Sequence, residues 1–512
     1  MNIIKPPSSN RITLGIACLL SVLSAALYLG WTATSGPLGF PLDDGWIHQT
    51  YARNLAQTGQ MAYAPGEPSA GSTSPLWTAL LSLGYLLRLD FRLWTYTLGA
   101  ALLALTALTA HNLARRLFPD QPWAAPLVGL FCALEWHLAW AAFSGMETLL
   151  FTWLALLLLE RFTPHASCPT PHASRLGLIA ALLTLTRPEG LLLAGLVGLS
   201  LLWQAWRTAR WRGLAAPAIY GLVLIAAISP WLVFNLRISG QPFPNTFYAK
   251  QAEYAALQSL PVWTRLGRVL LPTVVGAQLL LIPGFLYAAL RSLRSSCFPP
   301  HASRFTFPPL PLLWWTLTVL VYALRLPVDY QHGRYLMPTI PVLILYGAGG
   351  TLRLLQPTST RMAVRVLSRT VLLATLALLL AFWLRGAPAY ASDSGFIEGE
   401  MGVVARWLNA HTEPDALIAV HDIGAVGYFT RRPLLDLAGL ITPEIAPFIA
   451  DETRLLDFMA ERGADYVIFF PDWSEPYRRM AADPRLTPVY RTDYAWTRRQ
   501  GHENMVVFKA EW

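Results

Sequence analysis

The stretch PLDDGWIHQTYARNLAQTGQMAYAPGEPSAGSTSPLW, residues 41–77, follows an apolar run and places two adjacent carboxylates, Asp43 and Asp44, at its edge. Ionisable groups beside a membrane span are expensive and usually have a role. Past the pair, Ile47, Tyr51 and Leu55 share one helical face, so an Asp also suits the N-cap of an amphipathic helix. The chain then turns to Gly, Pro, Ser and aromatic residues before a second apolar run at 76–89. That run is too short to cross a bilayer, which takes about 20 apolar residues. Read as an interfacial or re-entrant helix, it leaves residues 32–92 as one loop.

Composition agrees with a membrane setting. The chain has 512 residues, of which 54% are hydrophobic and 13% charged, whereas soluble proteins carry about a quarter charged residues. The net charge of +9 does not mark a nucleic-acid partner, because most of the Arg lies between apolar runs, where it reports topology. The first apolar run is long, lacks a small-residue cleavage site and is followed by others, so it reads as a span and not as a cleaved signal. Of the four Cys, Cys18 and Cys132 lie in apolar runs and Cys168 and Cys297 in polar loops; none follows Cys297, so the C-terminal region holds no disulfide.

Spans are expected near 12–31, 93–113, 122–142, 147–160, 176–186, 190–206, 214–235, 266–290, 309–325, 337–355 and 370–386, about eleven in all. Under this count Lys5 and Arg11 hold the N-terminus in the cytoplasm. Arg115 and Arg116, Arg161 and Arg175, Arg207, Arg291 and Arg294, and Arg353 to Arg369 then all fall on the cytoplasmic side. Counting 76–89 as a span would invert them. The fold class is thus a polytopic α-helical membrane protein, residues 1–386, followed by a small extracytoplasmic α/β domain, residues 387–512. In that tail, helical patterns at 398–409 and 452–462 alternate with strand-like runs at 416–422, 433–439, 465–470 and 505–509.

Polar chemistry gathers in the outward loops: SGMET (144–148), TRPEG (186–190), FPNTFYAK (243–250), DYQHGRYLMP (329–338) and, in the tail, VHDIGAVGYF (420–429). Nucleotide sugars and ATP are absent from that face, so group transfer there needs a donor delivered through the membrane, and a lipid-linked phospho-sugar fits. Such a transfer needs a carboxylate to take the proton of an attacking hydroxyl, cations or a metal to neutralise the departing phosphate, and an apolar groove for a prenyl tail. Asp43 and Asp44 suit the first task, one as base while its neighbour orients it or binds a metal. Arg53, Lys250, His332 and Arg334 suit the second. Tyr51, Glu147, Arg187, Glu189, Asn245 and Asp422 are supporting candidates; Arg187 and Glu189 flank Pro188 and also suit a structural pair. A repeated Cys-x-x-Pro-His-Ala-Ser-Arg, at 168–175 and 297–304, lacks the spacing of a zinc finger and reads as a coincidental loop repeat. No Walker loop, GxGxxG or HExxH motif occurs, and no metal ligand is assigned.

The segment LDDGWIHQTYARNLAQTGQMAYAPGEPSAGSTSPLW resembles the first outer loop of GT-C-fold glycosyltransferases, especially the mycobacterial terminal β-arabinofuranosyltransferase and its bacterial relatives. SGMET, TRPEG, PNTFYAK, GRYLMP and DIGAVGYF with LLDLAGL resemble that group's segments in the same order, so the likeness runs from Asp43 to about Glu444. Gly45 and Trp46 stand where Ala-Tyr is usual, and the acid often found before Gly71 is missing. The resemblance implies a polyprenyl-phosphate sugar donor, arabinofuranose being one candidate sugar. It also implies an envelope glycan, lipid or protein acceptor, contact with membrane lipids, and a bacterial inner-membrane location. No cofactor is then required and a divalent cation is optional. It makes Asp43 or Asp44 the base and puts Glu147, Arg187, Lys250, His332, Arg334 and Asp422 near the site. Two other classes remain open at this point. A flippase of lipid-linked sugars would place polar groups near mid-membrane in broken helices; a non-catalytic glycan-binding protein would tolerate loss of both Asp.

Overall fold

The computed structural model describes residues 10–163, 173–208, 213–297, 310–355 and 359–512. Most of both Cys-x-x-Pro-His-Ala-Ser-Arg copies, with Lys5, falls outside the described residues. A helix occupies each of the eleven expected span positions. Among the described residues six are long and apolar enough to cross a membrane, and eight if two bent pairs each count as one span. The others, Thr148–Phe162, Ala173–Thr186 and Leu310–Arg325, have 15, 14 and 16 residues. The run at 76–89 forms a separate 12-residue helix, Pro75–Leu86.

Two expected spans are not continuous. The first breaks by 52° between Ala124–Leu134 and Trp136–Ala142. There the Glu135 side chain accepts from the Leu138 N–H at 2.9 Å and caps a new helix inside the bundle. The second turns by 114° between Val262–Val274 and Gln278–Arg294. Gly276, at φ 145°, takes that corner. Helix Gln278–Cys297 then packs closely on Ile340–Leu354, since a Cβ at Gly350 would lie 1.9 Å from the Gly284 carbonyl oxygen.

The loops sort to two ends of the bundle. At one end Arg116 meets Glu160 at 2.8 Å and Arg353 meets Asp120 at 2.6 Å, as the alternating basic loops require. The other end carries a five-stranded sheet in the order Leu434–Asp436, Ile418–Val420, Tyr466–Phe469, Val506–Ala510, Leu486–Arg491. The first three strands are parallel and the last two pair antiparallel. The inner strands are apolar on both faces, which suits a covered sheet. Leu486–Arg491 escaped the sequence reading because Pro488 argues against a strand; it sits at the edge, with a register shift between Pro488 and Tyr490, where proline is tolerated.

The expected boundary at 386/387 falls inside one 38-residue helix, Met362–Gly399. The sheet is therefore joined to the bundle by a continuous helix and not by a flexible linker. At its end the buried Glu400 carboxylate receives the Thr492 and Thr497 hydroxyls, Asn504 Nδ2 at 2.7 Å and the Met505 N–H at 3.1 Å. Removing that acceptor strands several buried donors at about 1–3 kcal/mol each. Glu400→Ala should lower the unfolding midpoint of the purified protein sharply and expose the 400–512 region to limited proteolysis, whereas exposed Glu475→Ala should leave both unchanged.

Candidate active site

Asp43 and Asp44 open the helix Asp43–Thr58. Neighbours on a helix point about 100° apart, and these two go to different places. Asp43 accepts from the Gly424 N–H at 2.6 Å and the Ala425 N–H at 2.8 Å, so it caps the helix Ile423–Thr430 of the C-terminal region, a favourable place for an anion. Burial and the Asp422 charge push its pKa up to about 7, against those two N–H groups. A Cβ on Gly424 would lie 2.0 Å from the Asp43 carbonyl oxygen, so only glycine allows this approach. Asp44 meets Arg334 Nη2 at 2.5 Å. Burial opposes its charge, but Arg334 and Lys250 hold its carboxyl well below the usual carboxylate range.

Asp44 lines a cavity of about 520 Å³ between the helix Asp43–Thr58, the span ends and the loop at Leu440. Arg187, Lys250, Arg325 and Arg334 face it with Asp44, Glu147 and Glu189, four cations against three carboxylates. Arg187 is committed, to Glu147 at 2.9 Å and Glu189 at 3.1 Å; Tyr322 donates to Glu189 at 2.6 Å. Arg334 is not. It is 4% exposed, and its Nε and Nη1 have no partner among the described residues. Buried guanidinium donors are rarely left unmatched, and this sets Arg334 apart from Arg187. Lys250 Nζ lies 3.6 Å from Glu253; burial opposes its charge, yet Tyr330, Glu253 and Asp44 hold its pKa well above the ordinary lysine value. An apolar groove of about 250 Å³ adjoins the cavity across Arg187 and Tyr335, walled by Phe151, Leu192, Phe243, Trp314 and Pro338.

The structure thus brings Asp44, Glu147, Arg187, Glu189, Lys250 and Arg334 together around one space. Arg53 is elsewhere: its Nη1 donates to the Tyr428 carbonyl at 2.8 Å and its guanidinium covers the Tyr428 ring at 4.5 Å. His332 pairs with Asp393 at 2.8 Å, outside the cavity lining. The Tyr51 hydroxyl meets Ser69, and the Asn245 N–H donates to the Ala70 carbonyl at 2.9 Å; both shape the 69–72 turn behind the cavity. Asp422 lies beside Asp43 with Oδ2 buried and unpartnered among the described residues. His48, one turn after Asp44, lines the cavity with Nε2 3.0 Å from Glu147. The sequence reading missed it, although its i+4 spacing from Asp44 was a usable signal. Among the described residues no group of three or more His, Cys, Asp or Glu is placed to hold a metal ion.

The solved structures supply the fold's identity. The chain is similar to ArnT from Cupriavidus metallidurans bound to undecaprenyl phosphate, at 16% identity and TM-score 0.59 over 97% of both chains. It is similar to the oligosaccharyltransferase AglB from Archaeoglobus fulgidus in complex with an inhibitory peptide and a dolichol-phosphate, at 14% identity and TM-score 0.60, over 92% of this chain and 71% of that one. It is also similar to the arabinofuranosyltransferase AftD from Mycobacteria, at 16% identity and TM-score 0.56, over 99% of this chain but 40% of that one. The fold is that of these GT-C proteins, as the sequence resemblance implied. Residues 389–508 match the family described as Domain of unknown function (DUF8728). No curated protein matches the chain.

Two outcomes test the geometry. Gly424→Ala pushes a Cβ into backbone, so it should destabilise the seating of the C-terminal region by about 2 kcal/mol, read as increased protease cleavage. His421, between Asp422 at 3.5 Å and Glu253 at 3.8 Å, is opposed by burial but raised by its carboxylate neighbours from 6.5 to about 9. A raised pKa contributes stability that is full below 6.5 and lost as pH rises through about 9. The unfolding midpoint should therefore fall between pH 6.5 and 9.5 more steeply in the wild type than in His421→Gln.

Proposed function

We propose that the protein is a membrane glycosyltransferase that moves a sugar from a polyprenyl phosphate to a hydroxyl on an envelope glycan, lipid or protein. The observation that carries this reading is the pairing of Asp44 with a half-unpartnered Arg334 in a cavity that continues into an apolar groove. Support comes from the shared fold, and from the undecaprenyl phosphate and dolichol-phosphate bound by two of the neighbours. Arabinofuranose is the first sugar to try.

In this reading the donor's prenyl chain lies along the Phe243–Trp314 groove and its phosphate meets Arg334 and Lys250. The arriving phosphate competes with Asp44 for the guanidinium, which loosens the ion pair and makes the carboxylate more basic. Asp44 then takes the proton of the acceptor hydroxyl as its oxygen forms the new bond to the anomeric carbon. The bond from that carbon to the phosphate oxygen breaks, and the lipid phosphate leaves with its added charge on Arg334 and Lys250. Asp43 is a positioning residue that seats the C-terminal region and aims its neighbour. Glu147, Arg187, Glu189 and His48 form the fixed wall. The sheet-bearing end is the extracytoplasmic face of a bacterial inner membrane, with the N-terminus in the cytoplasm. A divalent cation near Asp44 is an optional addition.

The test is transfer from a panel of polyprenyl-phosphate sugars, arabinofuranose included, by purified protein in liposomes. Asp44→Asn should lower the rate about 100-fold to 10,000-fold, and Arg334→Ala by a comparable factor, while both proteins remain folded. A folded Asp44→Asn variant with the wild-type rate would contradict the assignment.

A further inference from the structure

The three residues before Arg334 have an unusual backbone. Gln331, His332 and Gly333 have φ of 53°, 58° and 69°, all in the left-handed region. Two of them are not glycine, and such residues stay there only where neighbours hold them. Gly333 is forced by space, since a Cβ would lie 2.6 Å from Pro272. His332 is held from outside its own loop. Its Nε2 meets Asp393 Oδ2 at 2.8 Å, and Trp140 Nε1 donates to the same oxygen at 2.9 Å. The rings of Trp136 and Trp140 close on the imidazole edge-to-face, at 5.2 and 5.3 Å. Asp393 belongs to Met362–Gly399, the helix that carries the sheet.

We infer that Asp393 is a positioning residue for Arg334. By fixing His332 it holds the left-handed turn that delivers the guanidinium to Asp44 and leaves Nε and Nη1 facing an anion. The placement of this cation is thereby tied to the helix that joins bundle and sheet. The inference rests on the reading that Arg334 takes the donor phosphate.

The experiment measures binding of radiolabelled undecaprenyl phosphate, without sugar or acceptor, to the full chain in nanodiscs. Thermal unfolding of each variant is followed in parallel. Asp393→Ala should bind about 10- to 100-fold more weakly while folded, the scale of losing a hydrogen bond to a charged group. Asp393→Asn keeps an acceptor oxygen for both donors and should bind within about threefold of the wild type. Asp393→Ala added to Arg334→Ala should weaken binding no further, because both act through one side chain. Wild-type binding by Asp393→Ala, or fully additive loss in the double variant, would overturn this inference while leaving the phosphate reading intact. Wild-type binding by Arg334→Ala would overturn both. Should Asp393→Ala not fold, His332→Phe, which keeps the ring and removes the nitrogen, carries the same comparison.

Discussion

Both oxygens of one carboxylate, Asp43, take backbone N–H groups at the start of a helix nearly four hundred residues later. The rest of the site is arranged around that contact. It is strong because it is buried and doubly hydrogen-bonded at the positive end of a helix. Arg53 on Tyr428 and the Tyr63 hydroxyl on the Ile423 carbonyl reinforce it from the same loop. With the two regions locked, the next residue has one direction left, and Asp44 turns into the cavity. The adjacent acids are therefore not duplicates. One holds the architecture, and its partner lines the cavity beside Arg334.

The charge pattern follows the same logic. Three carboxylates and four cations share the cavity wall, and most of that charge is cancelled internally. Arg187 is bracketed by Glu147 and Glu189, so it stiffens the wall without offering itself to a ligand. Arg334 Nη2 meets Asp44, while its Nε and Nη1 have no partner among the described residues. An anionic phosphate group would satisfy those donors, and the adjoining apolar groove would accept a chain of the kind lipid-linked phosphates carry.

Much of this was legible in the sequence, for physical reasons. Long apolar runs locate helices because a bilayer demands them, and the alternation of bare Arg loops with mixed polar loops sorted the ends of the bundle. Glu147, Arg187, Glu189, Lys250 and Arg334 stand out in the sequence because ionisable residues at span edges seldom lack a task, and in the structure they line one cavity. The breaks at Glu135 and Gly276 were not legible, since hydropathy averages over a bend. Nor was the division between Asp43 and Asp44, which depends on where Gly424 arrives in space. His332 looked like a ligand because it neighbours Arg334; its partner, Asp393, lies on a helix whose apolar pattern hid its reach. Arg53 looked like a donor contact because it shares a helix with Asp44, and its partner is a backbone carbonyl no motif displays.

In the proposed function, the cavity at Asp44 and Arg334 receives a lipid-linked phosphate. An experimental structure of the chain in lipid nanodiscs with undecaprenyl phosphate tests it most directly. The phosphate is expected within hydrogen-bonding distance of Arg334 Nε and Nη1 and close to Lys250, with the isoprenoid chain running past Phe243 and Trp314. Phosphate density anywhere else, with Arg334 Nε and Nη1 still unpartnered, would contradict it.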